Sequence, residues 1–290
     1  MAIPNKKAAL TFIFVTVLLD SIGFGIIVPV MPELIMQVTG EDLAESAKYG
    51  GWLLFVYALM QFFSAPVMGN LSDRFGRRPV LLVSLLAFAL DYVLMGWAPT
   101  LAWLFLGRFI AGIAASTFGI ANAYVADVFP PEERAQNFGL LGAAFGLGFI
   151  VGPVLGGLLG EFGPRVPFYA TAVLTFANFL FGLLVLPETL EKENRRPFEI
   201  SRANPLGAIT ELGRYPIVLG LVVANFIYLL AHHSLPATWS YYMIEKFSWS
   251  EREIGWSLGA VGVCMMVVQG FLIRLVVPKF GPERVAYFGL

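Results

Sequence analysis

Three charged residues interrupt long apolar runs: Asp20, Asp91 and Arg108. A charged side chain at the centre of a bilayer costs about 2.5–3.5 kcal/mol on insertion scales, so such groups face a partner or a cavity. Asp20 and Asp91 can each hold a proton or a cation. Arg108 can pair with one of them or coordinate a gate; the plain alternative is a structural ion pair. Asp127 and Glu33 fall at the ends of apolar runs, where water is near, and Asp127 reads as a gate contact rather than a ligand. Gln61, Asn122, Asn178, Asn225 and Gln269 can line a cavity or bridge helices. His232 and His233 read toward the outer end of their run; histidine is the residue type suited to a proton role near neutral pH. Two adjacent histidines face different directions on a helix, which favours a structural role. No metal-ligand spacing, nucleophile–base arrangement or phosphate-cradling loop accompanies these groups, because the glycine-rich stretches lie within apolar segments. The pattern is not that of an enzyme.

The elements that must position these residues are membrane helices. The chain is 58% hydrophobic and 13% charged, with a mean hydropathy of +0.74, whereas a soluble domain carries about a quarter charged residues. A spanning helix needs about 20 mainly apolar residues. Eight runs qualify: 8–34, 49–71, 79–98, 101–127, 136–160, 166–187, 215–242 and 253–277, with a ninth beginning near Arg284. The first is too long for a signal peptide's apolar core of ~7–15 residues and lacks a good cleavage site. The polar stretch 188–214 divides a six-helix bundle, 1–187, from a second set of helices, 215–290. The expected fold is all-α and multi-pass. The net charge of -1 carries no message about nucleic acid, and no obligate protein partner is evident. Cys264 excludes an internal disulfide and reads as a small buried hydrophobe.

Orientation follows from Lys and Arg in short loops. Of the 19 basic residues, only Lys48, Arg165, Lys246 and Arg252 fall on the side opposite the N-terminus. Arg108 is inside a span, and the rest share the N-terminal side. That bias predicts a cytoplasmic N-terminus.

One turn has a composition that positive-inside bias alone does not require: Gly69-Asn70-Leu71-Ser72-Asp73-Arg74-Phe75-Gly76-Arg77-Arg78. Gly69 is expected to admit a neighbouring helix and Gly76 a tight turn. Asp73 can accept from a helix N-terminus or pair with an arginine. Arg74-Phe75-Gly76 has a faint echo in Lys279-Phe280-Gly281, as transporters built from two repeats would show. In the fifth run Gly148, Gly152, Gly156 and Gly160 recur every four residues beside Gly157, as do Gly142 and Gly146, with Pro153 expected to bend the helix. The fourth run repeats the spacing at Gly107, Ala111, Ala115, Gly119 and Ala123. Small-residue faces let membrane helices pack closely; here they read as a static contact or as a flexible seam sealing one side of a path.

The turn resembles the G-x-L-x-D-R-x-G-R-R signature of the major facilitator superfamily. DSIGFGIIVPVMP (Asp20–Pro32), LGRFIAGIAAS (Leu106–Ser116, with Arg108) and GFIVGPVLGG (Gly148–Gly157) resemble its motifs for helices one, four and five. YALMQ (Tyr57–Gln61), SDRFGRRPVLL (Ser72–Leu82), LDYVL (Leu90–Leu94) and LPAT (Leu235–Thr238) look like the tetracycline/proton antiporter subfamily, which raises Gln61 and Asp91 among the candidates. The resemblance implies a twelve-helix exporter of the bacterial inner membrane, about two thirds of it present here. It implies no cofactor: a proton gradient supplies the energy, and the cargo is an amphiphilic drug, a metal chelate being one form of it. The family's ninth helix carries an acidic residue important for export, and the sequence stops before that position. Another solute, or an inactive membrane fragment, remains the alternative. Within this picture Asp91, about twelve residues past Pro79, sits near mid-membrane at 1.5 Å per residue. It is expected to line a cavity with Ala87 and Leu94 and to exchange a proton for cargo, with Asp20 sharing the work.

Overall fold

The computed structural model describes residues 6–200, 203–205, 207, 216–281 and 284–285. Every regular element among them is helical, as lipid requires of any chain that must satisfy its backbone within each segment. In order these are α1 (Lys6–Ile27), α2 (Met31–Thr39), α3 (Leu43–Phe75), α4 (Arg77–Trp97), α5 (Leu101–Ala114), α6 (Thr117–Val128), α7 (Pro131–Gly160) and α8 (Val166–Val185). After a 3-10 turn at Lys192–Asn194 come α9 (Pro216–Phe247), α10 (Glu251–Val267), a π-helical stretch at Val268–Leu272 and α11 (Ile273–Phe280). Seven of the resulting helical units are long and apolar enough to cross a membrane: Ala9–Thr39, Leu43–Phe75, Arg77–Trp97, Leu101–Val128, Pro131–Gly160, Val166–Val185 and Val218–Phe247.

Short connections make successive spans antiparallel, so the molecule has two ends. One carries the α3–α4 turn, the α6–α7 turn and the start of the 188–214 stretch. The other carries α2 and the α4–α5, α7–α8 and α9–α10 connections. They are called the turn end and the far end below.

The helices depart from the sequence expectations at identifiable places. The first run is broken at residues 28–30, where Pro29 lacks an N–H and disfavours helical geometry in Val28. Tighter bonds, Val28 N–H to Gly25 O and Val30 N–H to Ile27 O at 3.2 Å each, bridge the gap. The fourth run breaks at Ala115–Ser116. α3 starts at Leu43 rather than 49 because Asp42 caps it, accepting from Glu45 N–H at 2.9 Å. α9 continues to Phe247, which places His232 and His233 at mid-helix, not toward its outer end. The eighth expected run is divided among α10, the π stretch and α11, none of which alone has spanning length. Of the ninth, Arg284 and Val285 are helical, and 286–290 lie outside the described residues, as do Arg202 and Arg214.

Buried side chains form one cluster toward the turn end, with Phe12, Leu81, Leu85, Tyr124 and Leu141, and a second toward the far end, with Ile26, Leu34, Leu53, Met95 and Phe168. A small third cluster joins Met243, Ile254 and Leu258 to Val28 of the first helix pair. Large apolar side chains such as Leu90, Val173, Leu184 and Phe226 point outward. In water that much exposed apolar surface is a liability; in a bilayer it is the solvated face. Cys264 belongs to this exposed surface, contrary to the expected burial.

Candidate functional site

α4 and α5 place Asp91 and Arg108 face to face. Arg108 Nη2 donates to Asp91 Oδ2 at 3.0 Å, and the two side chains are 7% and 0% exposed. The crossing is close because of Gly107: a Cβ there would lie 2.6 Å from Asp91 Oδ1 and 2.7 Å from Met95 Sδ. The guanidinium also stands over the Tyr57 ring, 5.8 Å from its centroid, a geometry that favours a cation against an aromatic face. Asp91 Oδ1 and Arg108 Nε have no partner among the described residues. A buried pair of this kind is held by mutual attraction against a large desolvation cost.

Asp91 therefore faces α5 and is buried, rather than lining an open cavity with Ala87 and Leu94. Asp20 is the contrasting carboxyl. It is partly buried on α1, faces Thr117 at the start of α6 and has no ion-pair partner among the described residues. The Tyr57 ring lies under Arg108, and the Tyr92 hydroxyl abuts α1 at Gly23, one turn from Asp20. The two tyrosines thus lie beside the three charges in one polar region inside the bundle. Neither stood out in the sequence, although Tyr57 precedes Gln61 by one helical turn.

Gln61 explains the break between α5 and α6. Its Nε2 donates to Ala115 O at 3.0 Å, an acceptor released where the helical ladder fails. Beside it an open groove of about 510 Å³ runs between α3 and α5–α6, lined by Ala58, Gln61, Phe62, Gly69, Ser116 and Phe118, among others. Gly69 is a correction: a Cβ there would meet nothing within 4 Å, so this glycine borders the groove instead of admitting a helix. Gly119, Gly142 and Gly146 are likewise open.

The turn end is a charge network. Gly76 has φ +106°, a conformation that side-chain-bearing residues rarely adopt. The turn it makes lets Arg77 reach back to Asp73 (2.6 Å) and across to Asp127 on α6 (3.1 Å). Asp127 thus pairs with the arginine of the turn, and Asp73 takes the same arginine, not the helix N-terminus. That position belongs to Glu188, which sequence reasoning missed. Its Oε1 accepts from the N–H groups of Arg77 (2.9 Å), Thr189 and Leu190 (3.0 Å each). Glu188 directly follows Pro187 at the end of an apolar run, which was the available signal. Arg78 donates to Leu183 O, while Arg74 lies over the adjacent Phe75 ring and outside the network.

α7 forms the seam. A Cβ on Gly148 would lie 2.7 Å from Leu18 O, and one on Gly152 2.6 Å from Ile22 O, so one face meets the α1 backbone directly; Gly156 faces Ile26 in the same way. Gly157 and Gly160 turn toward Glu251 at the start of α10, and Pro153 O abuts Gly255. The helix continues through Pro153.

The remaining candidates scatter. Asn178 donates to Thr16 Oγ1 at 3.1 Å and bridges α8 to α1. Asn122 bonds its own helix at Phe118 O, and Glu33 accepts from Gln37. Asn225, His232 and His233 are exposed on α9, with His232 stacked on Tyr228. The side chain of Gln269 lies outside the described residues. No cluster of three or more His, Cys, Asp or Glu side chains able to hold a metal occurs among the described residues.

Residues 13–290 match the family described as Major Facilitator Superfamily. The class C tetracycline resistance protein of Escherichia coli is 41% identical over 286 residues, which cover 99% of this chain and 72% of that protein. The class B protein of Escherichia coli is 37% identical over 95% of this chain and 68% of its own length. Among solved structures, the human organic anion transporter MFSD10 (TETRAN) superimposes with a TM-score of 0.72 at 26% identity, covering 94% of this chain and 73% of that one. A D-xylose–proton symporter at 16% identity shares the fold, with a TM-score of 0.66.

Proposed function

The chain belongs to the Major Facilitator Superfamily, and from that premise we propose that it acts in proton-coupled efflux of an amphiphilic drug of the tetracycline class. The observation that carries the proposal is the polar region of Asp20, Asp91, Arg108, Tyr57 and Tyr92 inside an apolar bundle. Ionisable groups at membrane depth are costly and mark ion or substrate paths. The names of the curated relatives, tetracycline resistance proteins, indicate the cargo.

In this reading the two carboxyls divide the work. Asp91, locked to Arg108, holds α4 against α5. Asp20, without a basic partner among the described residues, exchanges a proton with cargo. Cationic or metal-chelated cargo favours the ionised carboxylate, so one site alternately binds proton and drug, which is a simple route to antiport. The proton gradient supplies the energy and no cofactor is needed. The chain lies in a bacterial inner membrane with the turn end cytoplasmic, as its basic residues favour.

Reconstitution in liposomes tests this. An imposed pH gradient should drive tetracycline movement, and Asp20→Asn should abolish coupled movement while leaving the protein inserted. A chain that moves no solute under a gradient is a scaffold or an inactive fragment. Labelling of Ser201→Cys from outside intact cells would reverse the orientation.

A further inference from the structure

The far end is where α9 and α10 meet the first six spans, through small residues, the Met243–Ile254–Leu258 cluster on Val28, an exposed ion pair of Arg252 with Glu161 at 3.3 Å, and two further side chains of α9. Ser240 Oγ donates to Val28 O at 2.9 Å, an acceptor left over where Pro29 breaks the first helix pair. The next residue, Tyr241, presses its ring tip against Gly50 of α3, where even a Cβ would collide with the phenol. The socket is apolar in effect. Tyr241 Oη is sealed from solvent without a hydrogen-bond partner among the described residues, and so is Ser46 Oγ, one turn from Gly50 on the same helix. Nearer the turn end, α9 between residues 218 and 233 is exposed throughout. The α9 contact is therefore confined to the far end.

This combination is unusual energetically. Shape complementarity at Gly50 favours closure, because helices in lipid associate through packing and not through the hydrophobic effect. The stranded hydroxyls oppose it, since a buried polar group without a partner bears its full desolvation penalty. We propose that Tyr241 and Gly50 form a knob-and-socket latch that closes the far end by shape, and that the unpaired Tyr241 hydroxyl keeps the closed state loose enough to open. The inference deepens the transport reading, because a latch that opens is useful only if the far end alternates.

Two substitutions should then act with opposite sign. Tyr241→Phe keeps the knob and removes the stranded hydroxyl, so the closed state gains. Gly50→Ala fills the socket, so the open state gains. The measurement is a pulsed electron spin resonance distance between spin labels at Ala44→Cys and Glu245→Cys, both at exposed positions flanking the latch, with the exposed Cys264 replaced by Ser and the protein in lipid nanodiscs. Tyr241→Phe should shift the closed-to-open ratio about tenfold toward the short distance, the size expected for one buried unpaired hydroxyl. Gly50→Ala should shift it toward the long distance, and so should Tyr241→Ala, which removes the knob. An unchanged or lengthened distance in Tyr241→Phe overturns the proposal, and so does an unchanged distance in Gly50→Ala. If Gly50→Ala fails to fold, the isosteric Tyr241→Phe decides alone. Gradient-driven tetracycline movement is read in parallel: expected distance shifts without transport sink the transport reading and leave the latch standing, whereas transport with unresponsive distances sinks the latch.

Discussion

The two ends of the molecule are held by different physics. At the turn end, Arg77 joins Asp73 to Asp127, and Glu188 caps the start of α4, so charge-assisted hydrogen bonds tie together segments that lie close to water. At the far end, Gly157 and Gly160 lie against Glu251, Gly50 receives Tyr241, and one hydroxyl of α9 reaches the backbone of Val28; the ion pair there, Arg252 with Glu161, is exposed on both sides and contributes little. Polar networks can fix a turn in one geometry. Glycine contacts can be made and broken with little desolvation. A protein that must part at one end while its bundle stays intact benefits from having the second kind of contact there. Between the ends sits the buried Asp91–Arg108 pair, which belongs to neither class and should be the least tolerant of change.

That gradation orders the expected effects. Arg108→Ala leaves a carboxylate with a fully buried side chain unpaired, and breaking such a pair costs about 3–5 kcal/mol. Thermal unfolding in detergent should register that loss, together with the loss of gradient-driven transport. Replacing both partners by leucine should recover most of the stability and none of the transport. A single substitution costing under about 1 kcal/mol would place the pair in the solvated class and remove the distinction from the turn end.

The seam comes next. Gly152→Leu drives a side chain into the Ile22 carbonyl, already 2.6 Å from a Cβ, and overpacking of this sort costs about 1–3 kcal/mol. Gly146→Leu, on the same helix but facing open space, should be near neutral in stability. Equal effects at the two positions would mean that α7 has no packed face, and the seam would lose its meaning.

These two glycines also show what the sequence could and could not reveal. Both stand in a four-residue repeat, and the repeat alone assigned both to a close contact. Which stripe touches a neighbour depends on the rotation of α7 about its axis, set by packing against α1 and α10, and no local pattern records it. Gly69 was misread for the same reason. The spans themselves were legible, since lipid imposes length and hydropathy directly on the sequence. The Pro29 break and the long α9 were not, because a proline or a polar residue near a membrane boundary is compatible with either a stop or a continuation. Asp91 and Arg108 were found because a charge in an apolar run is conspicuous. Their pairing was one of several possibilities until α4 and α5 were brought together at Gly107. Tyr57 and Tyr92 were missed because a tyrosine among phenylalanines and leucines carries no such contrast.

Smaller effects belong to the turn. Arg77 serves two carboxylates, Asp73 and Asp127, so Arg77→Ala should slow transport more than Asp73→Asn, which removes one of the two contacts. Both carboxylates retain water contact, and pairs of that exposure contribute about 0–1 kcal/mol to stability. Insertion and folding should therefore remain near normal while transport falls, by roughly tenfold or more for Arg77→Ala. Normal transport in Asp73→Asn at normal expression would mean that the turn is a static element.

The sharpest test of the polar class concerns Glu188, where the smallest single step is the loss of one charge. Its carboxylate sits at the N-terminus of α4, accepting from Arg77 N–H at 2.9 Å and from two N–H groups of its own segment. A negative charge at a helix N-terminus is worth about 0.3–1 kcal/mol. Glu188→Gln keeps an acceptor oxygen of the same reach and removes the charge, so only that electrostatic part should be lost. Arg195, 3.9 Å from Oε2 and partly exposed, adds little. Glu188→Ala removes the acceptor as well and leaves the Arg77 N–H, beside Gly76, to find water or nothing; an unsatisfied buried donor costs about 1–3 kcal/mol. The expected order of thermal stability is therefore wild type, then Gln slightly below it, then Ala clearly below both. The same order should appear in protease resistance of residues 188–200, whose attachment to the turn includes Arg196 N–H to Asp73 O at 3.1 Å and Asn70 Nδ2 to Glu199 O at 2.7 Å. Equal behaviour of Gln and Ala would show that charge, not hydrogen-bond geometry, fastens this segment.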